Sequence, residues 1–226
     1  RLGIDTLARY AKKFGFGVPT GLGLSREKSG LVPSTQWKIK NRKEPWLLGE
    51  TISASIGQGY NLVTPLQQAN MIASLANGGM LLKPYLVKRI ESPGGKTIKE
   101  FFPEIKERIT GNSKNFEFIR KALRDVVNGP KGTGRRSRLQ DIIVSGKTGT
   151  VQVVRMKSDD EKEKEDETPY KYRDHAWFVA FAPYEKPEIA VAVLVEHGGH
   201  GGATAAPIAK KIFKKYFQLY PPNPSA

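Results

Sequence analysis

No uninterrupted apolar run in this chain exceeds seven residues, and one of that length, Ile189-Ala190-Val191-Ala192-Val193-Leu194-Val195, is apolar at odd and even positions alike. A strand apolar on both faces has to sit in a sheet that is covered on both sides. Seven residues also fall far short of the about 20 that a membrane-spanning helix needs. A second apolar run, Trp177-Phe178-Val179-Ala180-Phe181-Ala182, precedes it across the short link Pro183-Tyr184-Glu185-Lys186-Pro187. A link that short predicts a hairpin, and therefore antiparallel strands. Further upstream, Ile142-Ile143-Val144 leads through Ser145-Gly146 into Thr150-Val151-Gln152-Val153-Val154, which predicts a third strand.

Four segments carry helical spacing. Asp5 is placed to cap the first, with Leu7, Ala11 and Phe14 on one face and Gly15 as its stop. Thr64-Pro65 opens the second, which carries Leu66, Ala69, Ile72, Ala73 and Ala76 and closes at Asn77-Gly78-Gly79. The third starts near Asn115, shows Phe116, Ile119, Leu123 and Val126, and ends at Gly129-Pro130. The fourth begins near Thr204, with Ile208, Ala209, Ile212, Phe213, Tyr216 and Phe217 on one side and Lys210, Lys211, Lys214 and Lys215 on the solvated side. Residues 20–60, rich in Gly, Pro, Ser and charge, predict long loops. The fold class expected is α+β: a mainly antiparallel sheet flanked by helices on both faces.

Lys and Arg number 37 against 22 Asp and Glu, a net charge of +15. The stretch Lys157–Asp174 holds eight acids and five bases, so the other 208 residues carry 32 bases against 14 acids, or +18. That stretch is expected to be a solvated, mobile extension between two strands, because such charge density buries no apolar area. The basic remainder would attract nucleic acid, anionic lipid or an acidic polymer without choosing among them. The absence of cysteine rules out disulfides, thiolate nucleophiles and cysteine-ligated zinc. Glu196-His197-Gly198-Gly199-His200 offers two histidines in a Gly-rich turn with no rigid helix to aim them, so it predicts a strand-to-helix loop and no metal site; His175, just before a strand, calls for no special role. No cofactor is implied.

Chemistry concentrates in Ser145-Gly146-Lys147-Thr148-Gly149-Thr150. A phosphate-binding P-loop would need a glycine at 141 and a helix after the lysine; position 141 is Asp and the residues that follow are β-branched. The alternative is Lys-Thr-Gly on a strand, as in penicillin-recognising enzymes that acylate a serine. There a lysine supplies positive charge for a substrate carboxylate, adjacent hydroxyls donate hydrogen bonds to it, and glycine lets a ligand lie against the backbone. The edge of the strand pairs with an acyl-peptide, and one of its N–H groups serves an oxyanion.

Read in order, Ser55-Ile56-Gly57-Gln58-Gly59-Tyr60, Thr64-Pro65-Leu66-Gln67, Ser145–Gln152, Phe181-Ala182-Pro183-Tyr184 and Glu196-His197-Gly198-Gly199 resemble the class B penicillin-binding proteins, and among them the elongation-specific branch. Leu2-Gly3-Ile4-Asp5, Phe14-Gly15-Phe16-Gly17, Thr20-Gly21 and Pro45-Trp46 fit the same family. The resemblance implies a penicillin-recognising transpeptidase fold and a serine acyl-enzyme formed on D-Ala-D-Ala stem peptides, blocked by β-lactams. It implies Lys147 as the catalytic electrostatic and hydrogen-bonding lysine, with Thr148, Gly149 and Thr150 binding substrate and the backbone near Thr150 helping to form the oxyanion hole. The partners it implies are peptidoglycan stem peptides, β-lactams, the elongation glycosyltransferase and cell-shape proteins, not nucleic acid. The location it implies is the periplasmic face of the bacterial inner membrane.

Two strings imitate the rest of the family's catalytic set. Ser25-Arg26-Glu27-Lys28 matches Ser-x-x-Lys, and Ser113-Lys114-Asn115 matches Ser-x-Asn. Ser25 sits among charges that would not bury its lysine, and Ser113 and Asn115 read better as helix caps. By the resemblance, Leu2-Gly3-Ile4-Asp5 lies downstream of both true motifs, so residues 1–226 are expected to form the C-terminal portion of one transpeptidase domain, with the nucleophile, its lysine and the membrane anchor upstream. Such a portion is expected to be inactive alone. Two alternatives stay open at this level: a relative that hydrolyses or senses β-lactams, and a basic nucleic-acid-binding module, which rests on charge alone.

Overall fold

A computed structural model describes residues 2–153 and 169–222. Most of the charged stretch, residues 157–168, therefore lies outside the described residues. The chain divides into two compact units, the first made of residues 1–74 and 78–111 and the second of residues 75–77 and 112–226.

In the first unit, α1 runs Gly3–Lys13 and ends where Gly15 takes a left-handed φ of 85°. Asp5 does not cap its own helix. Its carboxylate accepts from the backbone N–H and the hydroxyl of Thr35, at 3.0 and 2.8 Å. Thr35 is the first residue of α2, Thr35–Arg42, which is also capped by Ser34 accepting from Trp37 N. Leu48–Ser55 forms α3. The expectation of long loops over 20–60 is thus corrected by two helices. Their sequences hid them: α2 is anchored by a lysine, and α3 buries no residue at all, turning Leu48, Ile52 and Ile56 to solvent.

That lysine, Lys38, is 2% exposed and bonds the carboxylate of Glu50 on α3, with Glu44 at 3.7 Å. Glu50 also accepts from the backbone N–H of Leu47, which holds the first turn of α3. Hydrogen bonding to Lys38, then to Leu47, keeps the Glu50 carboxyl below its ordinary value, and hydrogen bonding to Glu50 raises Lys38 above its own.

The helix predicted at Thr64-Pro65 is α4, Pro65–Ala76, and it opens with a reciprocal cap. Thr64 Oγ1 accepts from Gln67 N at 3.2 Å, while Gln67 Oε1 accepts from Thr64 N at 2.9 Å. Gln67 is only 1% exposed, and its Nε2 also donates to Val18 O and Ser29 O, both at 2.8 Å. One buried amide therefore ties a helix N-terminus to two loops. Four short strands follow: β1 (Met80–Lys83) pairs antiparallel with β4 (Glu104–Arg108), and β2 (Arg89–Glu91) with β3 (Thr97–Glu100). They are mostly charged and nearly all exposed, so no apolar alternation betrayed them.

The second unit holds the sheet read from the sequence. Strands β5 (Ser145–Val151), β6 (His175–Ala182) and β7 (Ile189–Val195) pair antiparallel in that order. Ile142–Val144 is not strand but leads into it, with Val144 wholly buried. Helix α5, Ser113–Asn128, is capped by Asn112, not by Ser113 or Asn115 as expected: Asn112 Oδ1 accepts from Lys114 N. Helix α6 runs Ala205–Leu219. Ala176, Phe178, Ala180 and Ala182 of β6, with Val191 and Val193 of β7, pack in one cluster with Val127 of α5 and Ala205, Ala206, Ala209, Phe213 and Phe217 of α6. Val179 and Phe181, on the opposite face of β6, are buried as well, so both faces of this antiparallel sheet are covered. The buried side of α6 is rotated from the one expected, leaving Ile208 and Ile212 about 40% exposed; its four lysines are solvated as read.

Replacing Gln67 by Leu removes its bonds to Val18 O, Ser29 O and Thr64 N and should lower the unfolding free energy by about 3 kcal/mol, measured by urea denaturation. The Lys38–Glu50 pair gives a two-sided pH signature. Glu50's contribution is present above its unfolded value near 4.5 and is lost as pH falls through its lowered folded value. Lys38's is present below its unfolded value near 10.5 and is lost as alkali passes its raised one. Melting temperature followed against pH should fall on both flanks, and Glu50→Gln should flatten the acid one.

Candidate active-site wall

Strand β5 is the outer strand of its sheet. Its register sets Gly146 opposite Ala180, Thr148 opposite Phe178 and Thr150 opposite Ala176, which places those three on one face. Lys147 and Gly149, opposite Val179 and Trp177, take the other face. Lys147 is exposed, and its ammonium donates to the carbonyl of Thr148 at 2.7 Å. The four residues singled out in the sequence, Lys147, Thr148, Gly149 and Thr150, thus stand consecutively on one accessible strand edge.

Glycines bring that edge into place. A Cβ on Gly146 would lie 2.6 Å from Val179 O and 2.8 Å from both Ala180 Cβ and Phe178 Cζ. On Gly201 it would lie 2.1 Å from Trp177 O and 2.4 Å from Gly149 O, so the loop after β7 crosses directly over the β5–β6 ladder. Gly202 approaches Thr133 O in the same way. Thr133 is a neighbour that sequence reasoning missed: its Oγ1 lies 2.9 Å from Thr148 Oγ1, so two hydroxyls meet at the site. The Gly-Thr-Gly string around it, 15 residues before Thr148, was the available signal.

His175 has a role not expected for it. Its Nδ1 accepts from His197 N at 2.9 Å, and the two rings meet edge to face at 4.7 Å. That bond helps hold His197 in its left-handed conformation, φ 55°, where the chain turns away from β7. The described residues hold no group of three or more metal-ligating side chains, and none of their helices is long and apolar enough to cross a membrane.

The two imitation strings are elsewhere. Ser25 and Lys28 are exposed around a turn, where Arg26 has φ 66° and Glu27 is engaged by the N–H groups of Thr20 and Gly21. No helical turn stacks Ser25 against Lys28. Ser113 and Asn115 are exposed in the first turn of α5.

The pattern of the penicillin binding protein transpeptidase domain matches residues 1–214. The chain belongs to the penicillin-binding protein transpeptidase family. The peptidoglycan D,D-transpeptidase MrdA of Haemophilus influenzae is 38% identical over 218 residues, which are 95% of this chain and 33% of that protein. The crystal structure of Pseudomonas aeruginosa PBP2 in complex with WCK 5153 is 36% identical with a TM-score of 0.78, covering 96% of this chain and 43% of that one. PBP2 of Helicobacter pylori, in its complex with MreC, is 31% identical with a TM-score of 0.80, covering 96% and 36%. The chain thus spans about a third of the length of the curated relatives it matches. The class B resemblance and the penicillin-recognising α+β fold both stand.

In this family fold, Gly146→Ala should force β5 off β6 and cost about 3 kcal/mol or more through overpacking. Gly49→Ala, in α3 with nothing within 4 Å of the added methyl, should instead stabilise by about 0.5–1 kcal/mol. Thermal melts of the two variants check the contrast.

Proposed function

We propose that this chain supplies one wall of the active site of a serine-type peptidoglycan D,D-transpeptidase, as the C-terminal portion of its transpeptidase domain. The observation that carries the reading is the edge strand: Lys147, Thr148, Gly149 and Thr150 side by side, with the Thr133 and Thr148 hydroxyls in contact. A D-Ala-D-Ala peptide laid along β5 as an added strand would place its terminal carboxylate on the Thr148 and Thr150 hydroxyls and the Lys147 charge. The carbonyl oxygen of its penultimate residue would take the N–H near Thr150.

The serine nucleophile and its base lysine belong to the preceding part of the domain. The serine oxygen bonds to the penultimate carbonyl carbon, passing its proton to the base; the amide C–N bond breaks, and D-Ala leaves with a proton on its amine. An amine of a second stem peptide then attacks the ester, the C–O bond breaks, and the serine recovers its proton. A β-lactam enters the same path and stops at the ester. On this reading the residues act at the periplasmic face of the inner membrane, beside the elongation glycosyltransferase and a cell-shape protein such as the MreC bound to the Helicobacter pylori relative.

The test is the intact mass of the longest natural form of the protein after incubation with a penicillin, with the adduct mapped to a peptide. The reading expects acylation of a serine outside residues 1–226. An adduct on Ser25, or none, contradicts it. In that form, Lys147→Ala should slow acylation by about 100-fold, and Thr133→Val by about fivefold, the worth of one net hydrogen bond; stopped-flow acylation kinetics measure both.

A further inference from the structure

The first unit contains a depression of about 400 Å³ beside α2 that takes no part in the chemistry above. The residues that line it include Trp37, Ser34, Gln36 and Asn41. Two lysines, Lys12 and Lys40, border it, both exposed and neither in an ion pair among the described residues. No carboxylate lines it. The nearby Asp5 is turned into the N-terminus of α2 by its two bonds to Thr35.

The wall is built before any ligand arrives. Gly17 and Gly30 contribute backbone to it, both at left-handed φ. Gln67 pins the residues beside them through Val18 O and Ser29 O. Trp37 also packs against the ring of Tyr60, with centroids 5.0 Å apart. Asn41 Nδ2 donates to Trp37 O, which leaves its amide oxygen to accept. A rigid indole, uncharged amide groups and unopposed ammoniums make a surface for a ligand with a flat apolar ring face, amide groups and carboxylates.

We infer that this depression binds a peptidoglycan segment away from its reacting terminus. An N-acetylated sugar ring lies against Trp37, its acetamido group meets Gln36 and Asn41, and the acidic residues of the attached stem peptide sit on Lys12 and Lys40. The inference rests on the transpeptidase reading for the identity of the polymer. A polymeric substrate extends well beyond one reacting bond, and binding energy from its remote parts serves orientation at the reacting centre.

The probe is a soluble disaccharide-tripeptide muropeptide, which lacks the D-Ala-D-Ala terminus, titrated calorimetrically into the longest natural form of the protein. Saturable binding is expected, reduced about tenfold in the double variant Lys12→Glu/Lys40→Glu, a difference of about 1.4 kcal/mol, and unchanged in Lys147→Ala. Uncharged chitobiose should bind more weakly than the muropeptide. The inference is overturned if the muropeptide does not saturate, if the charge-reversed protein binds it equally well, if chitobiose matches it, or if Lys147→Ala abolishes binding. Penicillin acylation of the same samples separates the two readings. A charge-reversed protein that still acylates reports on this depression alone, whereas loss of acylation in the unaltered protein is a failure of the transpeptidase reading.

Discussion

Strand β5 sits where it does because its backbone touches its neighbours without intervening side chains. With Gly146 within 2.8 Å of three atoms at its missing Cβ, and Gly201 closer still to the ladder, the strand and the loop after β7 form a stack in which hydrogen bonds and van der Waals contact replace side-chain packing. The position of Lys147 and the two threonines follows from that stack. So does the meeting of Thr133 with Thr148, since Gly202 abuts the carbonyl of Thr133. A methyl group at these glycines would move the Lys147–Thr150 edge as a whole.

The first unit depends on a different kind of contact. Two of its buried polar side chains, Gln67 and Lys38, each satisfy more than one backbone or charged partner. Buried polar groups cost stability unless fully bonded, and these are bonded. The result is a unit whose loops are positioned by particular hydrogen bonds, which is why a Gly-rich, charged stretch can form a defined wall at Trp37.

The contrast explains what could be read from the sequence. Strands β6 and β7, helices α4 and α6, and the stop of α1 at Gly15 carry apolar periodicity or glycine punctuation, and they lie close to where those signals put them. The Lys-Thr-Gly strand was legible because β-branched residues follow it and the chain's other motifs stand around it in the family's order. Helices α2 and α3 were not legible, because one is organised around a buried lysine and the other points Leu48, Ile52 and Ile56 outward. Strands β1–β4 offered almost no buried face. Asp5 has the residue type of a cap but caps α2 and not its own helix, and sequence distance gives no hint that Thr35 lies beside it. Thr133 and the His175–His197 pair depend on contacts made only after folding.

The ammonium of Lys147 rests on the carbonyl of the next residue along an outer strand. An open strand edge is a template for any extended chain, including another copy's strand, and a lysine held over it is a common guard against such pairing. On the function proposed above, the guard is also selective. A peptide that brings a carboxylate gives the ammonium somewhere better to go and frees the carbonyl, while a neutral strand must strip it away with no compensation. On that reading, one side chain lets the edge remain open to a carboxylate-bearing peptide and closed to aggregation.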